Sequence, residues 1–495
     1  MSAQDSAGRL KPSAAGSAPI ERLRARALAL PAALDRPRVQ FVALAIIVAI
    51  AAFLRFYKLG AWSFWGDEML TIIDVPDGFN YELLRRSLML STILAVIGEL
   101  GVSEWSARLA PALVGVLSVP VLYFPVRRML GPAVALLFAL LLAVSPWHLY
   151  WSQNARYYIL LLLFYTLALL FLYFGLHERR ISFSLLGLLF LALATRERLL
   201  ALFLVPVIGS YMVITAALPG SSAGIRRFSA RSLLLLLGLL LVALLFALPY
   251  LRDLRGWLVG FGAANNTPLW LGAGVLYYLR LPVVVLAIVG AVALFARERH
   301  AAILLSLSAV VPLLVLMIIS SFHYTANRYA FVSLTSWLIL EAAGTHALIR
   351  QTTRTKMWPA LAIVMLALVD PLSEDAFYFT FNNGNRDDWK SAFALVQERR
   401  EPGERVISNH EPIASYYMGE PTVHLAHITV PEDITAGEEA VWIVQDMTMA
   451  MEHPAQTAWV ERNAQLVAVL DNHLYGRNYL MRVYYYDPAV GGEER

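Results

Sequence analysis

Apolar runs separated by short polar stretches fill the first three quarters of the chain. Eleven can be marked, near residues 38–56, 108–126, 131–150, 157–176, 181–195, 198–217, 231–249, 273–296, 300–320, 329–348 and 357–371. Most approach the ~20 residues that carry a helix across a hydrocarbon core, and the run at 181–195 is short for that task. Two longer polar loops interrupt them, 57–107 and 250–272. Beyond residue 371 the pattern changes. Trp389, Phe393 and Val396 recur at helical spacing within 388–400, and 457–463 also reads as helix. The stretches 405–408, 422–426, 440–444, 466–470 and 479–486 read as short strands. The pattern therefore predicts a polytopic α-helical membrane protein of about eleven spans (38–371), followed by a soluble α/β domain (372–495).

Composition and charge sharpen this division. Of 495 residues, 58% are hydrophobic and 15% charged, against about 25% charged in an average soluble protein. A soluble globular enzyme is excluded. Cys is absent, which removes disulfide, zinc-thiolate and cysteine-nucleophile chemistry. Residues 1–370 carry 31 Lys/Arg against 16 Asp/Glu, whereas residues 371–495 carry 9 against 20. The basic part supplies the high isoelectric point through loop arginines, so no nucleic-acid partner is expected. Residues 1–37 form a basic leader rich in Ala, Ser, Pro and Arg, with no small-residue cleavage site after the first apolar run. With the leader in the cytoplasm, 19 Lys/Arg of the membrane part fall on the cytoplasmic side and 12 on the other. An odd number of spans then places the acidic domain outside, in the periplasm of a bacterial inner membrane.

Candidate chemistry gathers on that outer side. The first loop opens with Trp62-Ser63-Phe64-Trp65-Gly66-Asp67-Glu68, two adjacent acids behind an aromatic cluster. An acid beside rings that lower the local dielectric is a candidate general base, the alternative being a solvated loop acid. The third run exits through Ser145-Pro146-Trp147-His148, Ser152-Gln153-Asn154-Ala155-Arg156 and Tyr157-Tyr158. Arg156 is a candidate phosphate clamp, because a guanidinium presents paired donors to anionic oxygens. An interfacial aromatic belt is the competing reading for this hairpin. Arg328 lies between Asn327 and Tyr329, close after His323, and Arg196-Glu197-Arg198 forms a further outer cluster. Arg55 ends the first run. For any one such arginine, snorkelling to the interface is an equal alternative. His148 and His323 with Asp67 are candidate ligands for a divalent metal, although their spacing is not diagnostic. Phosphate-loop, HExxH and GxSxG motifs are missing. No internal repeat is visible, which weighs against a transporter or flippase of lipid-linked glycan, the principal alternative class.

Taken in order, these stretches resemble family 39-type glycosyltransferases of the GT-C fold, which include the protein O-mannosyltransferases and the lipid A aminoarabinose transferases. The resemblance runs from Arg55 through Trp65-Gly66-Asp67-Glu68, then Ser103-Glu104-Trp105-Ser106-Ala107-Arg108-Leu109, then Ser145-Pro146 to Arg156-Tyr157-Tyr158, then Asn327-Arg328-Tyr329, and finally Asp388-Trp389-Lys390. It implies an inverting transfer from a polyprenyl-phosphate-linked sugar to a glycan, lipid or protein acceptor on the periplasmic, extracytoplasmic face. By that analogy Asp67, with Glu68 beside it, supplies the base. Arg156, Arg328, Arg196 and Tyr157 would hold the lipid phosphate, and His148, His323, Tyr158, Arg55 and Arg86 would line the site. The family's His-Pro-Pro-Leu-like segment is missing. Arg86-Ser87-Leu88-Met89 stands in its place, with Arg85 or Arg86 as a substitute cation.

Overall fold

A computed structural model describes residues 36–72, 87–218, 234, 237–242, 244–245, 267–321, 323–352, 357–424, 439–474 and 477–488. The helices up to residue 380 are Pro37–Phe56 (α1), Gly66–Ile72 (α2), Leu88–Leu100 (α3), Glu104–Leu130 (α4), Pro132–Ala143 (α5), Pro146–Ser152 (α6), Tyr158–His177 (α7), Ile181–Glu197 (α8), Leu204–Ala217 (α9), Pro268–Leu279 (α10), Leu281–Phe295 (α11), Arg299–Ser320 (α12), Leu334–Thr352 (α13) and Met357–Thr380 (α14).

Among the described residues, six helices are long and apolar enough to cross a membrane, or eight if each of two bent pairs counts as one span. The eleven spans expected from the apolar runs are therefore not all found, and the reasons are local. A hydropathy run does not register a bend. The run at 131–150 breaks at Ser145-Pro146, where α5 and α6 meet at 58°. The run at 273–296 breaks at Arg280, whose φ of 71° turns α10 against α11 by 88°. Helix α8 is 17 residues long, and most of 231–249 lies outside the described residues. The last run extends to Thr380 and takes in Asp370, Glu374 and Asp375. Asp370 and Glu374 both pair with Arg280, which pins the α10–α11 elbow to α14.

The first loop carries two helices of its own. Helix α3 starts at Ser87, whose hydroxyl accepts from Leu90 N at 3.2 Å. The buried carboxylate of Glu197, at the end of α8, accepts from Ser87 Oγ, Leu88 N and Met89 N. An acid facing the unsatisfied N–H groups and positive pole of a helix start is a favourable arrangement. Two close approaches depend on glycine. A Cβ at Gly115 of α4 would lie 2.3 Å from Ser152 Oγ, and one at Gly290 of α11 would lie 1.8 Å from the Leu340 carbonyl oxygen of α13. Small residues let membrane helices meet backbone to backbone where lipid offers no hydrophobic drive.

After α14 come Trp389–Arg399 (α15), Arg405–Ser408 (β1), Glu411–Met418 (α16), Val423–His424 (β2), Val441–Gln445 (β3), Met447–Glu452 (α17), Pro454–Asn463 (α18), Gln465–Leu474 (β4) and Arg477–Tyr486 (β5). The five strands form one sheet in the order β2-β1-β3-β5-β4. Strand β1 runs parallel to β2 and β3, and β5 runs antiparallel to β3 and β4. All five residues of β3 are buried, as its central place requires. This unit packs on the first loop. Phe64 N donates to Tyr417 Oη at 2.8 Å, the rings of Phe64 and Tyr416 meet edge to face, and Lys390 N donates to Ser63 Oγ at 3.0 Å.

Candidate active site

Helix α2 holds the two adjacent acids, and the fold separates them. Glu68 points inward and is fully buried. Its carboxylate accepts Arg108 Nε at 2.8 Å and Arg108 Nη2 at 2.7 Å, a bidentate pair, and also Ala155 N at 2.8 Å. Arg386 Nε stands 3.5 Å away. Burial works against the ionised form, yet Arg108 and Arg386 hold the Glu68 carboxyl below the usual carboxylate range. Arg108 also donates to the carbonyls of Leu59, Trp62 and Ser63, fixing the turn that leads into α2. Arg386 donates to Gln153 O at 2.7 Å and Gly384 O at 2.8 Å. Gln153 in turn donates to the carbonyls of Leu54, Arg55 and Tyr57, which α1 leaves unpaired at its end, and accepts from Tyr378 Oη. One buried network thus ties α1, α2, α4, the Gln153–Arg156 turn and the segment after α14.

Asp67 faces the other way. Its side chain remains 21% exposed and lies 3.5 Å from Arg328 Nη2, itself 30% exposed. Its backbone carbonyl accepts Arg156 Nη1 at 2.7 Å, and the same nitrogen donates to Thr71 Oγ1 one turn on. Neither Arg156 Nε nor Arg328 Nε has a hydrogen-bond partner in the protein. Arg328 stands over the rings of Trp65 and Tyr329. Tyr157 lies under Arg198, 4.5 Å from guanidinium carbon to ring centre, and near Arg156. Tyr158 is buried against Trp151. The structure therefore brings Asp67, Arg156, Arg328, Tyr157 and Tyr158 together.

The remaining expected residues are placed elsewhere. Arg55 is fully buried and donates to the carbonyls of Ala51, Ala143 and Leu142 and to His148 Nδ1. Because a guanidinium only donates, His148 Nδ1 accepts, and its Nε2–H is left to donate to Ser118 Oγ at 3.1 Å. Arg55 and His148 thus lock α1, α4, α5 and α6 together. His323 is buried, with Nδ1 3.0 Å from Tyr324 O. Among the described residues no three His, Asp or Glu side chains gather so as to hold a metal ion, so the grouping of His148 and His323 with Asp67 is not formed. Arg196 is exposed at the end of α8, whereas Arg198, in extended conformation one residue past that end, reaches Tyr157. Arg86 lies outside the described residues.

The architecture has counterparts among solved structures. ArnT from Cupriavidus metallidurans, in its apo state and bound to undecaprenyl phosphate, superposes with a TM-score of 0.56 at 14% identity, over 91% of this chain and 99% of ArnT. The archaeal oligosaccharyltransferase AglB from Archaeoglobus fulgidus, in complex with an inhibitory peptide and a dolichol-phosphate, gives 0.54 at 11% identity, over 85% of this chain and 71% of AglB. The chain has the GT-C fold. Residues 85–252 of this GT-C chain also match the family model of dolichyl-phosphate-mannose-protein mannosyltransferases. Among curated proteins, none matches it.

Two positions of the candidate site in the GT-C chain are not singled out by sequence reasoning. Arg386 carries no motif, and its role appears only when residues from distant segments meet. Arg198 was outranked by Arg196, and the signal that separates them is the helix end at Glu197. A third group, Asp387, bears on pH. Burial first, and then Asp446, raise its carboxyl to about 7, while His410 opposes the rise. An acid with a raised folded pKa binds more protons folded than unfolded, so stability falls as pH climbs from about 4 to about 7. Asp387→Asn is expected to raise the thermal midpoint at pH 8 and to leave it nearly unchanged at pH 4. Equal shifts at both pH values would refute the assignment.

Proposed function

We propose that this chain is an inverting glycosyltransferase that uses a polyprenyl-phosphate-linked sugar. Its acceptor is a glycan, lipid or protein on the periplasmic face of a bacterial inner membrane. On this reading residues 1–37 are a cytoplasmic leader, 38–371 the catalytic membrane domain and 372–495 an extracytoplasmic domain. The observation that carries the reading is the pairing of a partly exposed carboxylate, Asp67, with Arg328, while Arg156 grips the backbone of the same residue. The undecaprenyl phosphate of ArnT and the dolichol-phosphate of AglB, in chains of the same fold, support the donor class.

The chemistry follows from the geometry. Asp67 accepts the proton of the acceptor hydroxyl as its oxygen attacks the anomeric carbon. The bond from that carbon to the phosphate oxygen breaks, and polyprenyl phosphate leaves. Arg328, Arg156 and Arg198 meet the negative charge that grows on the phosphate, an interaction stronger in the transition state than before it. Incubating the purified chain with a panel of polyprenyl-phosphate sugars and an acceptor extract should release free polyprenyl phosphate, detected by mass spectrometry. Arg328→Ala is expected to lower that release by about 100-fold, the scale of losing one preorganised charge partner. No release from any donor would end the proposal.

A further inference from the structure

One end of the five-stranded sheet holds a cavity of about 390 Å³, within the range of roughly 300–1,000 Å³ that small-molecule sites occupy. Glu404, Trp442, Tyr485 and, from β4, Gln465, Leu466 and Val467 line it. Trp442 of β3 and Gln465 of β4 both lie directly opposite Tyr485 of β5, so the three side chains form one row on a single face of the sheet. The two rings stand 4.9 Å apart between centres. Glu404, just before β1, ties their polar edges down. Its carboxylate accepts Trp442 Nε1 at 2.7 Å, Tyr485 Oη at 2.7 Å and Glu401 N at 2.9 Å. The hydrogen bond to Glu404, then burial and the charges of Glu404, Asp487 and Glu401, push the Tyr485 phenol up to about 12, so it keeps the proton that it donates.

Strand β4 shapes the other wall. Successive side chains of a regular strand point to opposite faces, yet Gln465, Leu466 and Val467 all line the cavity. Leu466 pairs with Tyr484 and Ala468 with Val483, which leaves Val467 as the extra residue of a β-bulge. A bulge re-aims side chains, and bulges gather beside functional sites. The cavity is also remote from Asp67. Its residues stand where β1, β3 and β4 begin and β5 ends. The other end of β1 leads to α2, where a Cβ on Gly66 would lie 3.9 Å from His410 Cε1. Strands β1 and β3 are four and five residues long, which sets the two ends roughly 10 Å or more apart.

The lining suits a ligand with an apolar face and a polar rim. The two rings, Leu466 and Val467 supply apolar surface. Gln465 and the exposed Glu401 and Arg399, which also line the cavity, set donors and acceptors side by side. A pyranose has a face of C–H groups and a girdle of hydroxyls that each donate and accept. One guanidinium, Arg399, stands against the carboxylates of Glu401 and Glu404, so a charged ligand of negative sign meets a surplus of like charge.

We infer that this cavity is a saccharide-binding site for a neutral pyranose, set apart from Asp67. It goes beyond the transferase reading and does not depend on it. The test uses the full-length chain in phospholipid nanodiscs and saturation-transfer NMR. The probes are the methyl glycosides of glucose, galactose, mannose and N-acetylglucosamine, with methyl glucuronide as the anionic counterpart. At least one neutral glycoside should bind, and the glucuronide should bind about tenfold more weakly than the best of them. Glu401→Ala and Gln465→Ala, both at exposed positions, should each weaken that binding by up to about tenfold, the loss of one hydrogen bond, without moving the thermal midpoint. No transfer to any neutral glycoside, tighter binding of the glucuronide, or unchanged binding in both variants overturns the assignment. No donor is present in this titration, so its failure and a failure to release polyprenyl phosphate are separate results.

Discussion

Asp67→Asn is expected to lower sugar transfer by about 10²–10⁴-fold, the usual contribution of a positioned general base. Asparagine fills the same space but cannot take the acceptor proton. The backbone carbonyl held by Arg156 is untouched, so α2 keeps its place. Removing the charge also frees Arg328 from the Asp67 carboxylate it pairs with. Binding of a polyprenyl phosphate should therefore hold or tighten while turnover collapses. The check is a pair of measurements on one preparation: initial rate of lipid phosphate release, and affinity for added polyprenyl phosphate. Unchanged turnover would remove Asp67 from the chemistry, and loss of both would make it a binding residue instead.

Glu68→Ala should act on stability rather than on the chemical step. The substitution leaves Arg108 and Arg386 buried without their shared carboxylate and strips Ala155 N of its acceptor. Breaking a buried pair on one side costs about 3–5 kcal/mol, a large part of the roughly 5–15 kcal/mol that holds a typical domain together. The expected result is a lower thermal midpoint in detergent and a poor yield of monodisperse protein. Arg108→Ala should behave alike, and the double variant should cost less than the sum, since each removes the other's burden. A Glu68→Ala protein that melts like the wild type but is inactive would return Glu68 to a chemical role.

The contrast between these neighbours shows where sequence reading stops. The pair of acids after an aromatic cluster was legible, and so was the grouping of Arg156, Tyr157, Tyr158 and Arg328 near it. Which acid faces solvent was not, because Glu68 is claimed by Arg108, 40 residues away, and by Arg386, from beyond the last membrane helix. His148 and Arg55 are of the right residue types, yet each satisfies the other, an outcome set by the packing of α1 on α6. Strands β1 and β3 fall at or within a residue of their expected positions, and β5 starts two residues before its expected start, because β-branched and aromatic runs bounded by turn residues mark a strand locally. Bends carry no such signature. Arg280 turns a helix by a φ that glycine would ordinarily supply, stabilised by Asp370 and Glu374, 90 and more residues away.

The reach of Arg386 has a consequence for how the chain matures. It bonds to Gln153 across 233 residues and pairs with Glu68, the acid next to Asp67, so the ribosome finishes every helix up to α14 before that guanidinium exists. Until then α2 has only part of its anchorage, and Asp67 only part of its aim. Assembly of the aspartate with its arginines is therefore completed late in synthesis, by a residue that must first follow all the preceding helices to the same side.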